Sequence, residues 1–239
     1  MDIDDALKTL DEPIAKEAPK VETSSTPTSG GDKNYGNKEK QWDPWEDEII
    51  PRELDKTNLK RFSRTFAVSG TADVTDEAIG SFRDVLETIN NLGFTMRSPG
   101  DERDRFNKII TENFSRKEYI LPWKKFNTNV EATVVKPTKF SYELSATFHK
   151  AFKKLSNAVR GFIARDTHIF LGKDCDTPIN FLIIYTSCGI ENNDKIDFKT
   201  TGNASYFINL ASELNVPIFN FKNKDAKDRL VTYLETFKN

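Results

Sequence analysis

The sequence predicts an α/β fold, a parallel sheet covered by helices on both faces, preceded by a long disordered or extended N-terminal arm. Three observations predict it. Phe181-Leu182-Ile183-Ile184-Tyr185-Thr186 is an unbroken apolar and β-branched run rather than an alternating one, which is what a strand buried on both faces requires. On either side of it, short strand-like runs alternate with stretches whose apolar residues recur at helical spacing, the order that builds a parallel sheet. Residues 1 to about 60 are rich in Ser, Thr, Pro, Gly and charge, and bury too little to offset the entropy of ordering. The expected division is an acidic arm over 1–61 and a single domain over 62–239.

Thr65 to Gly70 reads as the first strand, entering a turn of small residues. A helix follows over about 75–91, with Ile79, Phe82, Leu86 and Ile89 on one stripe and Asp76 and Glu77 in the first turn, where the helix dipole favours carboxylates. Gly93 stops it, Phe94 to Ser98 is a second strand, and a charge-rich helix from Glu102 to Phe114 leads to a third strand over Tyr119 to Pro122. Residues 128–143, rich in Thr and Val, read as a loop or an extra strand. Phe148, Phe152, Leu155, Val159 and Phe162 then keep helical spacing through one long helix, about Tyr142 to Arg165. After the central strand come an exposed polar loop over 191–201, a helix over 204–214, a buried strand over 216–221 and a closing helix over 225–237.

The net charge of −2 supplies no global field toward nucleic acid or an anionic membrane. It is unevenly spread: residues 1–60 hold 9 Lys and Arg against 15 Asp and Glu, the remainder 26 against 22. Two cysteines, Cys175 and Cys188, fit neither a disulfide framework nor a zinc site. His149 and His168 stand apart from other ligand types, so no metal site is expected, and Cys188 reads as a small core residue. The N-terminus lacks a basic-then-apolar leader and no apolar run is long enough to span a bilayer. The expected setting is cytoplasmic, without membrane association.

Three small-residue turns join a strand to a helix, where backbone N–H groups can approach a phosphate: Ser69-Gly70-Thr71-Ala72, Ser98-Pro99-Gly100-Asp101 and Gly202-Asn203-Ala204-Ser205. With Gly93 to Ser98, Leu121-Pro122-Trp123-Lys124-Lys125-Phe126-Asn127, Ala164-Arg165-Asp166, Leu171-Gly172, Thr177-Pro178, Thr186 and Val216-Pro217-Ile218-Phe219-Asn220, the chain resembles the SLOG superfamily, which groups DNA-processing protein A with the lysine-decarboxylase-like LOG proteins. The resemblance is strongest toward phage and bacterial members and covers about 65–221. It implies a Rossmann-like fold whose ligand, in functional relatives, is a nucleotide or a nucleotide-derived phosphate.

Against the family pattern, all three phosphate turns have lost glycines. Gly70 is kept but Ala72 stands where an arginine belongs, Asp101, Glu102 and Asp104 stand in the second turn, and Gly202-Asn203-Ala204-Ser205 replaces a Gly-Gly-Thr-Gly. Added Cβ atoms obstruct a phosphate, and carboxylates repel it. Arg97, Arg103 and Arg105 would offset part of that repulsion.

The expectation is a non-catalytic binding or structural module, phage-encoded and associated with a virion or its assembly, in host cytoplasm or virion. Its partner is a protein, or further copies of itself, reached through the arm. Arg97, Ser98, Gly100, Gly70, Thr186 and Gly202 form a vestigial nucleotide site, a nucleotide being the only cofactor in question. Ile3, Leu7 and Leu10, on one face of a short amphipathic turn, and Trp42 and Trp45 are the docking candidates; the same residues could instead fold back on the protein's own body. Arg97 is open to clamping a phosphate or pairing with a carboxylate, and Trp123 to stacking on a base or packing at a strand end. The rival function is a nucleotide-binding sensor or phosphoribohydrolase-like enzyme. Nucleic-acid binding is not expected, since no long basic stripe exists to follow a backbone.

Overall fold

The computed structural model describes residues 42–60, 63–71, 73–100, 105–127, 129–134, 136–149, 151–194, 196–202 and 204–238. Six strands form one sheet: β1 (Thr65–Gly70), β2 (Thr95–Ser98), β3 (Lys117–Ile120), β4 (Ala132–Val134), β5 (Phe181–Tyr185) and β6 (Ile218–Asn220). Their spatial order is β4-β3-β2-β1-β5-β6, and every neighbouring pair is parallel. Strand order therefore reverses between β1 and β5, the place where an open α/β sheet leaves a crevice beyond its carboxyl ends. The expected Rossmann-like arrangement is present.

Period-two alternation sorts each strand between two helical layers. Phe66, Val68, Met96, Phe181, Ile183 and Phe219 join one core with helices α1 (Asp76–Asn91), α2 (Arg105–Asn113) and α7 (Ala226–Glu235). The opposite face is covered by α3 (Lys139–Phe148), α4 (Asn157–Leu171) and α6 (Ala204–Leu214), with α5 (Phe198–Thr201) a single turn leading into α6. The first core is dominated by phenylalanine. Phe181 stacks on Phe66 at 5.2 Å and meets Phe94 edge-on at 5.1 Å.

Local chemistry sets the boundaries. Thr75 caps α1 by accepting from the Ala78 amide, Gly93 ends the following turn at φ 78°, and Gly172 closes α4 at φ 80° while donating to the His168 carbonyl at 2.8 Å. The long helix expected over 142–165 is two helices. α3 ends at Phe148, a 3-10 turn runs Phe152–Lys154, and Ser156 caps α4 by accepting from the Val159 amide. Phe152 and Leu155 keep helical spacing because the turn uses both to seat itself in the core, not because the helix continues. The third strand lies earlier than expected, at Lys117–Ile120; Pro122, inside the expected range, has no N–H to give a ladder. The Thr- and Val-rich stretch supplies β4 as an edge strand.

The compact unit begins at Trp42 rather than near Phe62. Trp42 meets Tyr142 of α3 edge-on at 5.4 Å, Ile49 is buried, and the Arg52 amide donates to the Glu143 carbonyl. Trp42 thus packs against the protein's own body, whereas Trp45 is 42% exposed. Ile3, Leu7 and Leu10 lie outside the described residues. Cys188, expected in the core, is exposed, whereas Cys175 is buried. Among the described residues no helix is long and apolar enough to cross a membrane.

Candidate functional site

The crevice beyond β1 and β5 is where the sheet collects most of the sequence-selected residues. Gly70 ends β1, Ser98 ends β2, Thr186 follows β5, and Gly202 precedes α6. A Cβ placed on Gly202 would lie 3.7 Å from Thr71 Cγ2, so the turns after β1 and before α6 meet. The Thr71 amide, which would face a phosphate, donates instead to the Tyr185 carbonyl at 3.0 Å.

What occupies the space beside Gly70 is Phe106 of α2. A Cβ on Gly70 would approach Phe106 Cβ at 3.1 Å, and Phe106 is fully buried, edge-on to Phe82 and to Tyr185. A phosphate would have to displace an aromatic ring held on several sides. Gly100 is similarly enclosed: its φ is +60°, and a Cβ there would come within 2.8 Å of Leu121 Cδ2. Its amide donates to Ser98 Oγ at 3.3 Å, and its carbonyl accepts from Asn127 Nδ2 at 3.0 Å.

The polar groups at the edge bond mostly to one another. Asn220, closing β6, donates through Nδ2 to Thr186 Oγ1 at 2.7 Å and to the Ile190 carbonyl at 3.0 Å, while its Oδ1 accepts from the Thr186 and Lys222 amides. Its own amide donates to Glu191 Oε1, which also accepts from Arg229 at 2.7 Å. Thr186 is thus fully buried under its own loop. Ser205, in the first turn of α6, donates its hydroxyl back to the Gly202 carbonyl at 2.8 Å.

Arg97 is not at this edge, which corrects its expected role in the site. Strand alternation turns it to the side opposite Met96, where its Nη1 donates to the Thr177 carbonyl at 2.7 Å and the Phe170 carbonyl at 3.4 Å, and its Nε to Glu118 at 3.2 Å. Burial pulls the guanidinium's pKa down and Glu118 pushes it back. The cation sits at the C-terminal end of α4, where the helix dipole favours it. Trp123 packs at its strand end, edge-on to Phe126 at 5.3 Å and tilted against Phe162 at 5.1 Å. Asp101, Glu102 and Asp104 lie outside the described residues, as does Ala72. Among the described residues no group of three or more His, Cys, Asp or Glu could hold a metal ion.

Sequence reasoning located the glycines but missed the side chains that close over them. Phe106 sits within a charge-rich stretch, and its burial depends on α2 crossing beside β1. Asn220 had a signal, being a polar residue that ends an otherwise apolar buried run.

A buried histidine lies between α3 and α4. The Thr138 amide donates to His168 Nε2 at 3.2 Å, so the proton resides on Nδ1, which points at the Gly172 carbonyl at 3.0 Å. Burial is the main cause lowering the His168 pKa, only partly countered by the bond to Gly172. A base whose folded pKa is depressed is protonated first in the unfolded chain, so its contribution is intact above the ordinary value of about 6.5 and lost as pH falls below it. Urea unfolding between pH 7.5 and 5.5 should show stability falling by up to about 1.4 kcal/mol per pH unit from this group. His168→Gln, still a neutral acceptor, should flatten the dependence; His149, also lowered by burial, supplies the remainder with the same sign.

No protein-family model, no curated protein and no solved structure matches this chain.

Proposed function

We propose that this Rossmann-like domain is a non-catalytic binding or structural module of SLOG type, used in a phage virion or its assembly and docking through the N-terminal arm. The observation that carries the reading is Phe106 lying against Gly70, where a phosphate-binding turn needs open space. Commitment of the Thr71, Thr186 and Asn220 groups to internal hydrogen bonds supports it, since these donors among the described residues of the edge are not left for an anion. What weighs against the rival sensor or phosphoribohydrolase-like enzyme is Arg97, whose guanidinium is engaged by backbone carbonyls away from the edge. Isothermal titration of the full chain with ATP, AMP, NAD and cyclic ADP-ribose should give no binding heat. Micromolar binding of any of the four, or release of ribose 5-phosphate from a nucleoside monophosphate, would replace this reading with the rival.

A further inference from the structure

A second concavity, away from the crevice, lies past the end of β3. It encloses about 270 Å³ between Pro44, Trp45, Pro122, Trp123 and Tyr142, with Lys124 and Lys136 completing its lining. That volume is below the roughly 300–1,000 Å³ of a site for a drug-sized molecule, and fits a few residues of an extended chain. We propose that this groove binds an acidic, proline-bearing peptide segment of a partner protein. The inference deepens the binding-module reading and rests on it, naming the partner's chemistry.

Four observations carry it. The walls are rings: two prolines, two tryptophans and a tyrosine, the kind of surface on which a polyproline-II segment lays its pyrrolidines. Trp123 and Tyr142 are set in advance, because Trp123 is fixed against Phe126 and Phe162 and Tyr142 against Trp42, while an Asx turn in which the Trp45 amide donates to Asp43 Oδ1 at 2.8 Å fixes the backbone that carries the 42%-exposed Trp45. Walls already ordered keep the entropy cost of binding low.

The charged groups of the lining are both cations: Lys124 and Lys136 are exposed, and no Asp or Glu is among the described residues that line the groove, although Asp43 lies close enough to act on Tyr142. Burial pushes the Tyr142 phenol up to about 12, so it stays a neutral hydroxyl. A proline ring needs no hydrogen-bond partner, whereas a nucleobase would leave its edge unpaired against walls that are mostly carbon.

Finally, the surface already holds such a peptide in cis. Of the segment Trp42-Asp43-Pro44-Trp45-Glu46-Asp47, acidic with one proline and two tryptophans, Trp42 packs on Tyr142 while Pro44 and Trp45 line the groove.

The three tryptophan indole N–H resonances of the ¹⁵N-labelled full chain, assigned by single Trp→Phe variants, report on the groove directly. Titration with the synthetic peptide acetyl-Asp-Pro-Pro-Glu-Asp-amide should shift the Trp45 and Trp123 signals saturably at up to millimolar peptide. The pair Lys124→Glu and Lys136→Glu, both exposed and so tolerable to the fold, should weaken the apparent affinity about three- to tenfold, and added salt should weaken the wild type in the same direction. Acetyl-Lys-Pro-Pro-Lys-Lys-amide should bind more weakly than the acidic peptide. Absence of saturable shifts, equal response to the basic peptide, or indifference to the lysine substitutions would overturn the groove proposal while leaving silence toward nucleotides, and hence the module reading, standing. AMP saturating the same two signals would overturn both.

Discussion

Phe106→Ala should lower the free energy of unfolding by about 3–5 kcal/mol, the range for truncating a buried aromatic ring. Phe106 is fully buried and touches three elements of the structure at once: the backbone of β1 at Gly70, Phe82 of α1, and Tyr185 at the end of β5. Little around it can collapse into the gap, because Gly70 has no side chain to move and the β1 backbone is paired on both sides. Urea unfolding at pH 7.5 should therefore show a lower midpoint with an unchanged slope; a loss under about 1.5 kcal/mol would mean that the ring is not seated as described. The same variant tests function. Removing the ring opens space beside Gly70 but leaves the Thr71 amide bonded to the Tyr185 carbonyl and Asn220 bonded to Thr186. AMP titrated into folded Phe106→Ala should still give no heat, and its recovery of micromolar binding would show that one side chain alone had closed a working site.

Arg97→Ala should cost about 2–4 kcal/mol, from the cavity left by a buried side chain and the lost donor to the Thr177 carbonyl, because the carboxylate left behind, Glu118, is 38% exposed and stays solvated. The substitution removes the Arg97 donor to the Thr177 carbonyl, while the Phe170 carbonyl keeps the Ile179 amide, and it leaves a cavity under α4. Arg97→Lys should recover little, since an ammonium cannot reproduce the planar fork that reaches Glu118 with one nitrogen and two carbonyls with another. Arg97→Met, close in volume and without a charge to bury, should recover more than Lys. A rank order with Lys above Met, by the same denaturation measurement, would mean that charge rather than shape holds this position. Loss of any activity in Arg97→Ala would then report unfolding before it reported a missing ligand contact.

The strands and most helices were legible because their signals are local. The unbroken run at 181–185, the apolar stripe of α1 and the short apolar block ending at Asn220 each have one reading at their length. The false long helix arose where two signals conflicted. Phe148, Phe152, Leu155, Val159 and Phe162 keep step across a turn, and the break was written in Ser156, a better cap than interior residue. At the crevice, a glycine in a turn shows that room is needed but not for what. Whether that room is taken by a ligand or by Phe106 depends on where α2 lies, a tertiary fact. Arg97 was legible in part, since period-two alternation places it opposite Met96. What alternation omits is the carbonyl end of α4 waiting on that side. The boundary at Trp42 escaped composition because an acidic segment can be anchored by two or three apolar residues.

Gly70 against Phe106 bears on how glycine motifs are interpreted. A methyl group at position 70 would be pressed to 3.1 Å from Phe106 Cβ, so packing alone favours a small residue there, with no phosphate in attendance. A glycine at the end of such a strand can answer to a neighbour inside the protein rather than to a molecule outside it.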